Sequence, residues 1–222
     1  MQFREIRDTT SVEFEQALRV YSVSFPPIST RPADRIRNMI DSDGDYHLYV
    51  ATENRLVVGV SLLYVFHSLK MGLLDYLAVA SCFQRRGIGS RLLQYTLDRF
   101  LHEISDPIGL LIEIERERDC SREEQIVRRD RIKFYQRMGA RILPDVLYLL
   151  PPQYGTNAEE MYLMLMPMRR MCSLSKESVI QYIEAIYSKI YGYESRDLLD
   201  ATISKLPNEI RMASIESKDE TS

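Results

Sequence analysis

Gln84-Arg85-Arg86-Gly87-Ile88-Gly89-Ser90 decides how this chain is read. It lies between an apolar run ending in Leu77-Ala78-Val79, with the character of a β-strand, and a stretch from Ile88 to Phe100 with the spacing of an amphipathic helix. Its two glycines let the backbone turn tightly and approach a ligand with no Cβ in the way. The first amides of the following helix point outward and carry a partial positive charge of about half a unit, which suits an anion, a pyrophosphate above all. The turn is not a nucleotide P-loop, because no Lys-Ser/Thr pair follows the second glycine. Nor is it the dinucleotide fingerprint, which needs a third glycine where Leu92 stands. The residues alone leave two readings open: a phosphate cradle and an ordinary strand-to-helix turn.

Two stretches carry a resemblance. Leu77-Ala78-Val79, through Ser81-Cys82-Phe83 into Gln84-Arg85-Arg86-Gly87-Ile88-Gly89-Ser90-Arg91-Leu92-Leu93, resembles motif A of the GNAT superfamily of acyl-CoA-dependent N-acyltransferases, with its Q/R-x-x-G-x-G/A core. Downstream, Phe134-Tyr135-Gln136-Arg137-Met138-Gly139-Ala140 resembles that family's F/L-Y-x-x-x-G-F/A segment. The resemblance implies an α/β (α+β) GNAT fold: a mostly antiparallel central sheet of about seven strands, splayed between strands 4 and 5, with helices on both faces. It further implies an acetyltransferase domain over residues 1–168, followed by a C-terminal helical extension over 169–213 and a disordered tail over 214–222.

The implied activity is transfer of an acetyl or other short acyl group from acetyl-CoA, or another acyl-CoA, to a primary amine, with no metal. The resemblance lays the pantetheine arm against the main chain of Leu77, Ala78 and Val79 and the pyrophosphate against Gln84, Arg85, Arg86, Gly87, Ile88, Gly89 and Ser90. Arg128, Arg129 and Arg131 are further phosphate candidates. Tyr135 falls on the position of the general acid, or packs on the cofactor; a phenol near pKa 10 keeps its proton at neutral pH and can lend it to a thiolate. For the base, Glu113 and Glu115 share one face of a strand. Glu115 is the first choice, and Asp75 on the preceding strand is the second. Where the family often has Asn seven residues before the tyrosine and Ala four before it, this chain has Arg128 and Arg131. The acidic pair suggests a cationic acceptor, such as a polyamine, an amino sugar or a lysine side chain. A rival reading is a catalytically degenerate acyl-CoA-binding module that acts through partner contacts of its C-terminal helices.

Composition narrows the class. A length of 222 residues is enough for one buried α/β domain with an extension. A net charge of −3 gives no general field for nucleic acid. Three cysteines, Cys82, Cys120 and Cys172, are odd in number and widely spread, which indicates neither a disulfide framework nor a zinc site. The charged start, Met1 to Arg7, lacks the apolar core of a signal peptide, and the apolar run Leu56–Phe66 is too short to span a membrane. The expectation is a cytoplasmic protein, monomer or homodimer, with no nucleic-acid or membrane partner.

Along the chain, Phe3 to Ile6 reads as a strand, and Thr10-Ser11-Val12-Glu13 has capping-box spacing before a helix. A second helix is expected with Pro32 in its first turn, and the loop between Pro26 and Arg31 supplies candidate substrate contacts. Tyr46–Ala51 and Leu56–Phe66 read as a hairpin, and Gly109–Glu115 as a further strand. Arg116–Asp130 reads as a long charged link. Arg141–Leu150 and Met161–Met166 are expected to form the last pair, across a Pro151-Pro152-Gln153-Tyr154-Gly155 loop. A helix capped by Ser175 carries the stripe Val179, Ile180, Ile183, Ile186, Tyr187, Ile190, and a shorter helix starts at Ser195. These helices either pack back on the core or form a dimer contact.

Overall fold

The structure is a computed structural model that describes residues 1–25, 31–118, 120–152 and 157–213. The expected substrate contacts over 26–30, the Gln153-Tyr154-Gly155 part of the loop, and the 214–222 tail lie outside the described residues. The chain is a mixed α/β fold in two compact units, one built from Met1–Pro107 and one from Ile108–Pro152 with the chain after Asn157.

The first unit runs β1 (Gln2–Ile6), α1 (Val12–Ser24), α2 (Ala33–Ser42), β2 (Tyr46–Glu53), β3 (Leu56–Phe66), β4 (Met71–Val79) and α3 (Ile88–Glu103). Its strands pair antiparallel in the order β1-β2-β3-β4. Asn54 and Arg55, both at positive φ (50° and 66°), make the two-residue primed turn that matches strand twist and closes the β2–β3 hairpin. Ser11, not Thr10, caps α1, accepting from the Phe14 amide at 3.2 Å. Every β3 residue after Leu56 is buried, so both faces of that strand are covered. α3 lies on the Gly59 and Ser61 side: Thr96 Oγ1 donates to Ser61 Oγ at 2.9 Å, and a Cβ on Gly59 would stand 3.3 Å from Leu92 Cδ2.

The register between β3 and β4 shifts once, with Leu62 opposite Tyr76 and Leu63 opposite Leu74, which leaves Asp75 as the extra residue of a β-bulge. Its carboxylate accepts from Arg31 Nη1 and from Tyr46 Oη, the latter at 2.5 Å, and the Arg31 and Asp75 side chains are each 2% exposed. The far edge of this unit carries a second polar cluster. His47 Nδ1 lies 2.8 Å from Glu5 and its Nε2 3.2 Å from Glu103, while His67 bridges Glu103 and Asp45 at 3.3 and 3.2 Å.

The second unit runs β5 (Gly109–Glu115), α4 (Arg122–Arg137), β6 (Arg141–Ile142), β7 (Tyr148–Leu150), β8 (Glu159–Pro167), β9 (Ser173–Ser175), α5 (Lys176–Ala185), α6 (Asp197–Ile203) and β10 (Glu209–Arg211). β8 pairs antiparallel with β5, β6 and β7, and β9 with β10. The strand expected over Arg141–Leu150 is broken in two by a turn at Pro144-Asp145, because proline offers no ladder donor. The charged link expected over Arg116–Asp130 is largely helix. Ser121 accepts from the Glu124 amide at 3.2 Å and its own amide donates back to Glu124 at 2.9 Å, a complete capping box. Of the C-terminal stripe, Val179, Ile183, Ile186, Tyr187 and Ile190 are buried within the unit. α5 continues as a π-helical segment, Ile186–Tyr191, that stops at Gly192 (φ 62°).

The histidine cluster makes stability depend on pH. Burial works against charging His47, but the hydrogen bond to Glu5 and the charges of Glu103 and Glu5 outweigh it and raise its pKa. Burial likewise opposes ionising Glu5, and bonds from His47 and Arg7 prevail and lower its pKa. A raised histidine adds stability that is complete below its unfolded value, about 6.5, and fades as pH climbs through the folded value. A lowered carboxylate adds stability that fades as pH drops through its folded value. Calorimetry should therefore find the Tm advantage of the wild type over His47→Gln largest at about pH 5 to 6 and shrinking above about pH 7. Asp75→Asn, which leaves the buried Arg31 guanidinium without this carboxylate, should cost about 3 to 5 kcal/mol in urea unfolding.

Candidate active site

The glycine turn belongs to the first unit. After Val79 the chain makes a 3₁₀ turn over Ser81–Phe83 and passes through two left-handed residues, Arg85 (φ 59°) and Gly87 (φ 72°), before α3 begins at Ile88. Arginine takes this conformation at a cost of about 1 to 2 kcal/mol. Left-handed residues so close together turn successive amides to one side, the geometry of an anion nest. No side chain caps α3. A Cβ built on Gly87 would meet nothing within 4 Å, so the space above the turn is open to a ligand. Gln84 Nε2 ties the loop back to the Val79 carbonyl at 3.0 Å. Arg86 turns its guanidinium to Glu53, at 3.0 Å, and over the Phe83 ring. Gly89 and Ser90 sit in the first turn of α3, and Leu77, Ala78 and Val79 are opposite Ser61, Val60 and Gly59 in the ladder.

The second unit brings Tyr135, Glu115 and Arg131 together. α4 carries Arg131 and Tyr135 one turn apart, and Arg131 Nη1 donates to Glu115 Oε2 at the end of β5. Glu115 Oε1 has no hydrogen-bond partner among the described residues. Tyr135 is 7% exposed, and its hydroxyl also has no partner among them. Burial pushes its pKa up; Arg131 pulls it down and Glu115 adds to the rise. Arg128 donates to the Arg116 carbonyl at 2.8 Å and borders a cleft of about 330 Å³ with Arg116, Arg118, Glu159 and Glu160, while Arg129 is exposed. Asp75, the second-choice base, is sealed in its pair with Arg31.

Sequence reasoning missed one arrangement. Glu113 accepts from Tyr148 through Oε1 and from Tyr191 through Oε2, the latter at 2.6 Å. Tyr191 is 78 positions away along the chain, and no local spacing announces such a pair. Among the described residues, no group of three or more His, Cys, Asp or Glu could hold a metal ion, and no helix is long and apolar enough to cross a membrane.

Residues 44–139 match the acetyltransferase (GNAT) domain family. No curated protein sequence matches the chain. Among solved structures, a GNAT-family protein from Bacteroides thetaiotaomicron superposes with a TM-score of 0.69 at 20% identity, over 87% of this chain and 100% of its own. An aminoglycoside 6′-N-acetyltransferase complexed with coenzyme A gives 0.57 at 15% identity, over 77% and 100%. A GNAT-family acetyltransferase from Elizabethkingia anophelis with acetyl-CoA bound gives 0.50 at 18%, over 75% and 97%. At such identities the likeness speaks for the fold, and the family match speaks for residues 44–139 alone, which are similar to the acetyltransferase (GNAT) domain.

Proposed function

We propose that the protein is an N-acyltransferase that moves an acetyl or other short acyl group from coenzyme A to a primary amine. The observation that carries this reading is the uncapped start of α3 behind the left-handed Arg85 and Gly87, with open space over Gly87. A diphosphate fits there: its oxygens accept from the amides of the turn and the first helical residues, each charge-assisted bond contributing roughly 1.5 to 3 kcal/mol. Bound acyl-CoA supplies an activated acyl carbon on a thiol leaving group. Leu77 and Val79 hold the arm through their main chain.

The protein's own groups manage the protons. Tyr135 keeps its proton at working pH, since burial raises its pKa, and holds it at Oη for the departing sulfur. Glu115 is oriented by Arg131 through one oxygen, which leaves Oε1 to take the proton released by the acceptor as its nitrogen becomes an amide. Arg131 thus serves as the positioning partner of the base.

Thiol release from acetyl-CoA in the presence of a panel of primary amines tests the assignment. Tyr135→Phe should lower kcat by about 10²-fold or more with the Kd for acetyl-CoA unchanged; an unaltered kcat would remove Tyr135 from the reaction. Gly87→Val puts a branched Cβ where the phosphate would lie and at a φ that branched residues avoid. It should abolish the rise in Tm that acetyl-CoA gives the wild type, and a retained rise would argue against the cradle.

A further inference from the structure

The second unit holds a charged cleft that the acyl-transfer reading does not use. It has a volume of about 330 Å³ and is lined by Arg116 and Arg118 after β5, Arg128 in α4, and Glu159 and Glu160 at the start of β8. Two of its three guanidiniums are fixed in place. Arg116 Nη1 is ion-paired with Glu160, and its guanidinium carbon lies 4.9 Å from the centre of the Tyr162 ring. Arg128 Nη1 donates to the Arg116 carbonyl at 2.8 Å. Glu124, one turn earlier, feels the charge of Arg128, but no carboxylate among the described residues lies within ion-pair distance of it. Arg118 and the Glu159 side chain are exposed and make no ion pair or hydrogen bond among the described residues, and Arg116 Nε is buried with no hydrogen-bond partner among them. Were the cleft a salt-bridge network serving stability alone, Arg118 or Arg128 would close on Glu159; neither does.

We propose that this cleft binds a free α-amino acid, with the ligand's carboxylate on Arg118 and Arg128 and its ammonium on Glu159. The mixture of signs carries the class. A site for a phosphate or another polyanion gains nothing from Glu159 in its wall, and a site for a cation would not gather three arginines. A ligand with one charge of each sign satisfies both. Guanidinium forks bond the two oxygens of a carboxylate together, and an ammonium donates to a carboxylate, so each end of the ligand is read by charge-assisted bonds. Arg116, paired with Glu160, holds Arg128 through its carbonyl, so this donor is in place before the ligand arrives and costs less entropy on binding. The volume lies at the small end of the range for ligand sites, which suits a molecule of this size.

Isothermal titration calorimetry of the full chain with L-glutamine, whose side chain adds no charge, tests the proposal. It needs neither acyl-CoA nor turnover, so its result does not depend on the acyl-transfer reading. One binding site is expected. Arg118→Ala and Glu159→Gln alter exposed side chains that hold no other bond among the described residues, and each should weaken binding about tenfold, the worth of one charge-assisted bond. Ligands that lack one charge separate the two ends. N-acetyl-L-glutamine has no ammonium, so it should bind the wild type about tenfold more weakly than L-glutamine and be indifferent to Glu159→Gln. L-glutaminamide has no carboxylate and should be indifferent to Arg118→Ala. Absence of heat with L-glutamine, an unchanged L-glutamine Kd in either variant, or N-acetyl-L-glutamine binding as tightly as the free amino acid overturns the proposal. Heat from adenosine 3′,5′-bisphosphate that Arg118→Ala abolishes also overturns it, since the cleft would then take a nucleotide phosphate.

Discussion

The amides at the start of α3 have no intrahelical acceptor, and the chain provides no side chain to cap them. Leaving such donors unsatisfied costs free energy that a serine or aspartate at the cap would recover, by about 1 kcal/mol. Here glycine stands at the cap in a left-handed turn, preceded two residues earlier by an arginine in the same strained region. On the acyl-transfer reading proposed above, these donors are kept for an anion with several oxygens, which satisfies them all at once. The strand before the turn, the tie from Gln84 to Val79, and the close seat of α3 on Gly59 all serve to hold this start rigid.

The acidic residues illustrate how environment sorts identical chemistry into different roles. Asp75 is enclosed with Arg31 and Tyr46 at a bulge, and a carboxylate so enclosed is a structural anchor of the first unit. Glu115 is held by Arg131 on one oxygen alone. Glu113 accepts from the hydroxyls of Tyr148 and Tyr191, among its partners. Their position on strands explains none of this difference; it comes from which cation or hydroxyl the tertiary structure sets opposite each one.

That is also where the sequence stopped being legible. The glycine turn, the strands around it, α3 and the helix bearing Tyr135 were readable because each rests on local spacing: a period of two or of 3.6, or a glycine needed for a left-handed φ. The start of α4 was readable in principle, since Ser121-Arg122-Glu123-Glu124 has capping-box spacing, but its density of charge reads as a link. Pro144 marks the break between β6 and β7 just as plainly. The β9–β10 pair, three residues on each side, carries no periodicity at all. Arg31 against Asp75 and Tyr191 against Glu113 join positions 44 and 78 residues apart, and nothing short of the fold brings them together.

The broken strand and the extension explain one another. β6 and β7 are two and three residues long, and the carbonyls of Ile142 in β6, Leu147 just before β7 and Leu149 in β7 would otherwise lie along an unpaired edge, a template for association with other chains. Each of these three carbonyls instead accepts from the extension, from Ala213, Thr202 and Tyr187 in turn. Backbone bookkeeping alone would therefore favour a covering segment here. Yet a cover needs only main-chain partners, and Tyr191 reaches past the edge to a side-chain carboxylate on β5. The edge accounts for why the extension docks where it does; the reach of Tyr191 to Glu113 is the part that edge protection does not require.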